Sequence, residues 1–373
     1  MIDGTPQDAI SKSIEPAREI ITVAAPAAIF MVREFKKGIE MYKIDSYSPG
    51  QLMQAKHGLF CIDELPVLDP RKQVSLLSVL QEGRFTTGSY PVIFEPKTAF
   101  FATANPIDYT HSGKVIEPLY DRLKSHIHTH YPKSIENEML IIMQEANIHK
   151  SFIIVSILKI LTNILQKARK SHEINQERGV SVRLGIHGLE LLVGEAERTR
   201  AIFHKILPVP RLSDMHCLTQ VAKFELVERD DTIENRQKIF HELIDSSIQE
   251  VCLEYLSEQK ESFLESIKQE FHGKNFQVSQ QMIWKNGQTS YKNQLKNFQN
   301  LNNLIESKLE QIRSEQKLLI GQTALYKINS DSLSLKDGME DELRTVLTEI
   351  ILEGLCWIKP KILARKEAGY VQA

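Results

Sequence analysis

Two carboxylates stand side by side at the end of an apolar run, Gly58-Leu59-Phe60-Cys61-Ile62-Asp63-Glu64-Leu65. Four apolar residues without polar alternation predict a buried strand of the parallel kind. A strand ending in Asp-Glu delivers both side chains to the carboxyl edge of its sheet, where open α/β sheets bind ligands. There Asp63 can take a magnesium ion and Glu64 can act on an attacking water. The competing reading is an acidic N-cap cluster for the next helix. A second apolar run, Ala99-Phe100-Phe101-Ala102-Thr103-Ala104, ends at Asn105-Pro106 and predicts a second buried strand. The Asn105 amide there can orient a water beside Glu64 and touch a terminal phosphate, or simply serve as a turn residue before proline. Arg122 follows in Glu117-Pro118-Leu119-Tyr120-Asp121-Arg122-Leu123. A lone Asp-Arg pair is usually a structural ion pair, but this one comes after two site-bearing strands.

The elements that must position these groups are partly legible. Between the strands, Asp69 suits an N-cap, Pro70 a first turn and Gly83 a helix end. Val74, Leu77 and Leu80 recur at spacing three and are expected to form its core face. Arg84 to Phe94 reads as a hairpin around Gly88-Ser89, with Pro91 weakening its second arm. Lys124 to Tyr131 reads as a further strand. His126, His128 and His130 would share one face of it, about 6.6–6.8 Å apart. Imidazoles so placed can bind a transition metal, although a flat strand seldom converges neighbouring ligands on one ion. Residues 1–50 are expected to be helical in part, with Pro16 near a start and Pro26 as a kink. Residues 58–131 carry an α/β pattern and 134–229 a helical one. Residues 230–373 read as helical and polar, with Ser330 to Ser334 as a linker before a last helix from about Glu340 to Cys356.

Composition narrows the class. The chain has 373 residues, 42% hydrophobic and 25% charged, an ordinary globular balance. Lys plus Arg is 46 and Asp plus Glu is 48, a formal net charge of −2, which argues against a dedicated nucleic-acid binder. The four cysteines form no C-x-x-C pair, which points away from a disulfide framework and towards a reducing compartment. With no signal-peptide pattern at Met1 and no apolar stretch long enough to span a bilayer, a cytoplasmic protein is expected.

The order of parts resembles the AAA+ ATPases of the MoxR and magnesium-chelatase ATPase-subunit group. It runs from an apolar strand ending Asp-Glu through a helix and a hairpin to a strand ending Thr-Ala-Asn-Pro, then Leu-Tyr-Asp-Arg-Leu. The lead-in Pro49-Gly50-Gln51-Leu52, with Ala55 and Gly58, resembles that group's P-G-x-L-x-x-A-x-x-G approach. The resemblance is specific over about 49–131 and extends to 171–215, where Gly179-Val180-Ser181-Val182-Arg183-Leu184 opens a helix. It implies an α/β fold: a partial AAA+ P-loop NTPase core, then a helical lid and a helical C-terminal region. The parts would be a helical lead-in at 1–57, the core at 58–132, the lid at 133–229 and the remainder at 230–373. Asp63 and Glu64 would be the Walker B pair, Asn105 sensor 1, Arg122 the arginine finger and Arg183 sensor 2. The cofactors implied are ATP and Mg2+. The partners implied are further copies in a homo-oligomeric ring and a von Willebrand factor A-domain protein.

One part of that pattern is missing. A Walker A loop, G-x-x-x-x-G-K-[ST], holds phosphates with its backbone amides and lysine. Here Gly113-Lys114 is followed by Val115, and Gly273-Lys274 by Asn275. Charge-assisted phosphate contacts are each worth on the order of 1.5–3 kcal/mol, so losing several lowers affinity by several powers of ten. The expectation is therefore a fragment of a larger ATPase, or a non-catalytic ring subunit that does not bind ATP itself. A transcription activator is a third class, disfavoured by the absence of a Gly-Ala-Phe-Thr-Gly-Ala loop.

Overall fold

The computed structural model describes residues 20–24, 31–33, 47–86, 93–105, 114–148, 150–176, 179–221, 223–227, 231–285, 290–334, 339–366 and 369–373. The chain divides into two compact units, Met1–Thr129 and His130–Ala373. It is mixed α/β, a parallel sheet with helices followed by a helix-rich region.

The first unit runs β1 (Ile20–Ala24), β2 (Met31–Arg33), β3 (Tyr47–Pro49), α1 (Gln51–Gln54), β4 (Leu59–Asp63), α2 (Pro70–Glu82), β5 (Phe85–Thr86), β6 (Ile93–Phe94), β7 (Ala99–Ala102) and α3 (Glu117–Tyr120). Strands β1, β4 and β7 form a parallel sheet with β4 in the middle, Ile20 opposite Leu59 and Leu59 opposite Ala99. The central position explains the unbroken apolar run of β4: Leu59, Phe60 and Ile62 are buried, and Asp63 emerges at the end. The described residues before 50 are strands, not the helix expected there. The Ile20-Ile21-Thr22-Val23 run is β-branched and fits a pleated surface. Pro16 and Pro26 lie outside the described residues, as does the expected Gly88-Ser89 turn between the antiparallel β5 and β6.

Helix α2 begins and ends as its sequence predicts. The Asp69 carboxylate accepts the Arg71 amide at 2.8 Å, and Gly83 closes the helix at φ 70. Its buried face differs from expectation. Gln73, Leu76 and Val79 are buried, Leu77 and Leu80 only partly so, and Val74 is 54% exposed. The reason is Gln73: its amide donates to Leu68 O at 2.8 Å and Lys114 O at 3.1 Å, and its carbonyl accepts Ile116 N at 2.9 Å. A fully satisfied amide is buried without penalty, so the apolar pattern alone misplaces the face.

Two further expectations change. Strand β7 is an edge among the described residues, so Ala99, Phe101 and Ala102 are exposed and only Phe100 is half-buried, packed edge-on against Phe60. Residues 124–131 form no strand, because no described strand pairs with them.

The second unit is built on α4 (Ile135–Glu145), α5 (Val155–Lys170), α6 (Arg183–Ala196), α7 (Ile233–Glu254), α8 (Glu261–Glu270), α9 (Tyr291–Leu295), α10 (Gln299–Leu325) and α11 (Met339–Trp357). One hydrophobic core runs from Met139 to Tyr370. Helix α5 lies inside it, which accounts for its near-continuous Ile and Leu content. After α6 the chain makes a π turn, Glu197–Ala201, that buries Arg200. Arg200 donates to both oxygens of the equally buried Asp214, at 2.9 and 2.6 Å. The unit ends in an antiparallel sheet absent from the helical expectation: β8 (Phe276–Gln277), β9 (Leu363–Lys366) and β10 (Gly369–Gln372), in the order β8-β10-β9. Ser330 to Ser334 is not a free linker. Leu333 is buried, Leu333 O accepts from Gln316, and Ser332 O accepts the Ile153 amide at 2.8 Å. All four cysteines are free. Among the described residues no helix is long and apolar enough to cross a membrane.

Candidate functional site

The carboxyl ends of β4 and β7 are tied together by one hydroxyl. Thr103 Oγ1 donates to Asp63 Oδ1 at 2.6 Å and accepts the Glu64 amide at 3.0 Å. The backbone repeats the tie: Thr103 N donates to Ile62 O at 2.9 Å, and Leu65 N donates to Thr103 O at 2.9 Å. One Asp63 oxygen is thereby fixed, and the carboxylate keeps a second oxygen for a cation. Glu64 leaves the strand with φ 54 and ψ 55, the left-handed conformation. A residue with a β-carbon is strained there, and strain of this kind clusters at functional positions. Both carboxylates are exposed.

Thr103 was not singled out from sequence, although a signal existed. The parallel register sets Ile62 opposite Ala102, so the next residue on β7 must fall beside Asp63. Gln81 was also missed. Its carbonyl accepts Arg122 Nε at 3.0 Å and Nη2 at 2.7 Å, while Arg122 Nη1 donates to Pro118 O at 2.7 Å. Arg122 is therefore half-buried and held against α2 and α3.

Asn105, exposed beyond β7, lines a cleft of about 1160 Å³ together with Arg122. Phe100, Phe101, Leu80 and Leu123 supply apolar lining to the same cleft, and Asp63 and Glu64 do not border it. Its charged lining is Lys97, Lys124 and Arg122 against Glu117. His126 stacks on Tyr120 with ring centroids 4.0 Å apart, and its Nε2 lies 3.2 Å from Tyr120 O. His130 Nδ1 lies 2.7 Å from Tyr131 O. The three histidines do not form the expected row on a strand. Among the described residues no three metal-ligating side chains come together.

Arg183 is in the second unit, exposed at the start of α6, and its amide donates to Ser181 Oγ at 3.2 Å. The turn before it needs glycine: Gly179 has φ 66, and a β-carbon there would run into the Tyr131 hydroxyl. Tyr131 is fixed in turn by the Arg169 guanidinium, 4.1 Å from its ring centroid.

Residues 43–128 match the Sigma-54 interaction domain, an AAA+ ATPase-type domain. This supports the broader AAA+ resemblance without reaching the MoxR or chelatase group, and it names the activator class that the sequence disfavoured. Similar solved structures include NtrX from Brucella abortus in complex with ADP, 15% identical over 67% of this chain and 58% of that one, with a TM-score of 0.38. A second NtrX structure is 14% identical over 62% and 52%, TM-score 0.39, and one in complex with ATP is 18% identical over 47% and 40%, TM-score 0.31. The chain spans about half the length of these NtrX chains. No match was found among curated proteins. Nothing in these likenesses supports a von Willebrand factor A-domain partner.

Proposed function

We propose that the first unit carries the hydrolytic side of an AAA+ ATPase site, whose turnover remodels a partner protein or inserts a metal, as in the MoxR and magnesium-chelatase group. The observation that carries this reading is the Thr103 hydroxyl, which orients Asp63 and pins the Glu64 backbone at the ends of two adjacent parallel strands. The fit to Mg2+ and ATP is one-sided. A single oriented carboxylate suits magnesium, which keeps several waters and takes one or two carboxylates beside substrate phosphates. The sequence contains no G-x-x-x-x-G-K-[ST] motif to cradle the phosphates.

Within this proposal Asp63 holds the magnesium ion. When bound, the ion neutralises charge on the transferring phosphoryl group. Glu64 accepts a hydrogen bond from the attacking water and polarises it. Asn105 orients that water. Arg122 completes the site of a neighbouring copy in a ring, and Arg183, opening the lid helix, stabilises developing negative charge.

The test is a titration of the chain with a fluorescent ATP analogue and magnesium beside Asp63→Ala. Binding in the millimolar range that the variant loses is expected, as is loss of any hydrolysis in Glu64→Gln with binding kept. Binding indifferent to Asp63→Ala overturns the assignment. A second reading is a non-catalytic ring subunit, favoured by the missing phosphate loop and by the engagement of Arg122 with Gln81. It predicts no binding even at millimolar nucleotide.

A further inference from the structure

We propose that Arg169 is a positioning residue for Arg183. It fastens the turn that opens α6 to Tyr131, close to where the chain enters the second unit, so that the two move as one piece. The fastening rests on contacts within the second unit alone, and its bearing on phosphate charge rests on the ATPase reading proposed above.

Arg169 stands on the last turn of α5, and its guanidinium touches three separate parts of the unit. Nε donates to Val180 O at 2.9 Å, three residues before Arg183. Nη1 and Nη2 donate to the two oxygens of Glu138 on α4, at 3.0 and 2.7 Å. Glu138 is fully buried and the Arg169 side chain is 10% exposed. The face of the guanidinium lies 4.1 Å from the Tyr131 ring centroid. The Tyr131 hydroxyl in turn stands 2.4 Å from the point a β-carbon on Gly179 would occupy, so turn and ring are in close contact. From that turn the chain enters α6 directly. The Arg183 amide donates to Ser181 Oγ at 3.2 Å, and those of Leu184 and Gly185 donate to Ser181 O and Val182 O at 3.1 and 2.9 Å. The Arg183 side chain is exposed, so the turn, not surrounding packing, sets its position.

Stability alone does not require this arrangement. A buried arginine–carboxylate pair is often no more stabilising than apolar side chains of the same volume. An apolar residue at 169 would fill the space, but it would not hold a carbonyl, a carboxylate and a ring face together. The planar guanidinium fork does so, and lysine, a single point of charge, does not. What the pair provides is a fixed relation between Tyr131, α4 and the turn before Arg183. A cation that meets charge developing during a reaction is effective to the extent that it is held in place beforehand.

Arg169→Lys is the discriminating variant, because it leaves Glu138 a counter-ion and forfeits the Val180 bond and the ring face. In the full chain without nucleotide, amide exchange at Arg183, Leu184 and Gly185 is expected to quicken by about tenfold or more, with Leu189 and Leu192 farther along α6 unchanged. Gly179→Ala is expected to act in the same way. Adding Tyr131→Phe to it should restore part of the protection, since the hydroxyl that meets the new β-carbon is gone. Faster exchange along the whole of α6 in Arg169→Lys marks a purely structural residue and overturns the proposal. Unchanged exchange at Arg183 to Gly185 overturns it too, as does equal exchange in Gly179→Ala with and without Tyr131→Phe. A fluorescent ATP analogue with magnesium reads the functional half. Arg169→Lys and Arg183→Ala are each expected to weaken its binding by about tenfold, and the double variant by no more than either. Losses that multiply in the double variant overturn the positioning role. A native chain that does not bind the analogue counts against the ATPase reading, and the exchange pattern then decides the proposal by itself.

Discussion

Replacing Glu64 tests whether the candidate water-polarising residue is held under backbone strain. At φ 54 and ψ 55 a side chain costs about 1–2 kcal/mol relative to glycine. Against this, glycine loses about 0.5–1 kcal/mol more backbone entropy on folding. The balance predicts that Glu64→Gly is more stable than Glu64→Ala by about 0.5–1 kcal/mol, the reverse of an ordinary position. Both variants delete the carboxylate, so their difference isolates the backbone. His57, with φ 61 in the same unit and no proposed chemistry, should show the same inversion in His57→Gly against His57→Ala. The assay must report the first unit. Trp284 and Trp357 both belong to the second, so tryptophan fluorescence is the wrong probe. Amide exchange at Phe60 and Ile62 in the buried β4 is the right one, and about 1 kcal/mol appears there as roughly a fivefold change in rate. If Glu64→Gly is the less stable of the pair, the left-handed conformation is not a strain and the argument fails. If the gain is found, Glu64→Gly will be more stable than the native chain while losing hydrolysis, as expected where strain serves function.

Two further outcomes concern the second unit. Asp214→Asn leaves the buried Arg200 guanidinium without its counter-ion and should cost about 3–5 kcal/mol in urea unfolding followed by tryptophan fluorescence. An Asp214→Asn cost below about 1 kcal/mol refutes the buried-pair argument. Burial raises the Glu349 carboxyl above its ordinary range, opposed by Arg211 and by the Tyr291 hydroxyl bonded to it at 2.7 Å. Below that ordinary range both states are protonated and its contribution is whole; as pH rises the unfolded chain ionises first, so stability declines until the folded value is passed. Urea midpoints between about pH 4 and 8 should therefore fall less steeply in Glu349→Gln, and equal slopes would contradict the assignment.

What was legible in the sequence was what neighbouring residues decide. The apolar run of β4, the Asp69 cap and the Gly83 stop are local chemistry, and they stand where the residues indicate. Features decided by distant partners were not legible. Gln73 reads as a surface residue until Leu68, Lys114 and Ile116 satisfy its amide, and Leu333 reads as part of a linker until Gln316 reaches its carbonyl and the Ile153 amide reaches Ser332 O beside it. Phe276–Gln277 is too short for any periodicity, so the small C-terminal sheet left no signal. The alternating histidines at 126–130 show the opposite error, a strand pattern with no described partner to make it a strand. Thr103 lay between: its position beside Asp63 follows from the register, but only after the two strands are known to be parallel neighbours.

The parallel sheet also bears on how the first unit acquires its structure. Each crossover joins partners about 40 residues apart, and that loop entropy must be lost before any ladder forms. The helical unit is no more local: α5 packs most extensively on α7, about 80 residues further on, and α7 packs on α11, about 100 residues beyond that. Both units therefore close long loops before their cores assemble. For an interval the nascent β4 and β7 segments, both strongly apolar, are presented without partners. That interval is when the chain is most exposed to aggregation and most dependent on a chaperone.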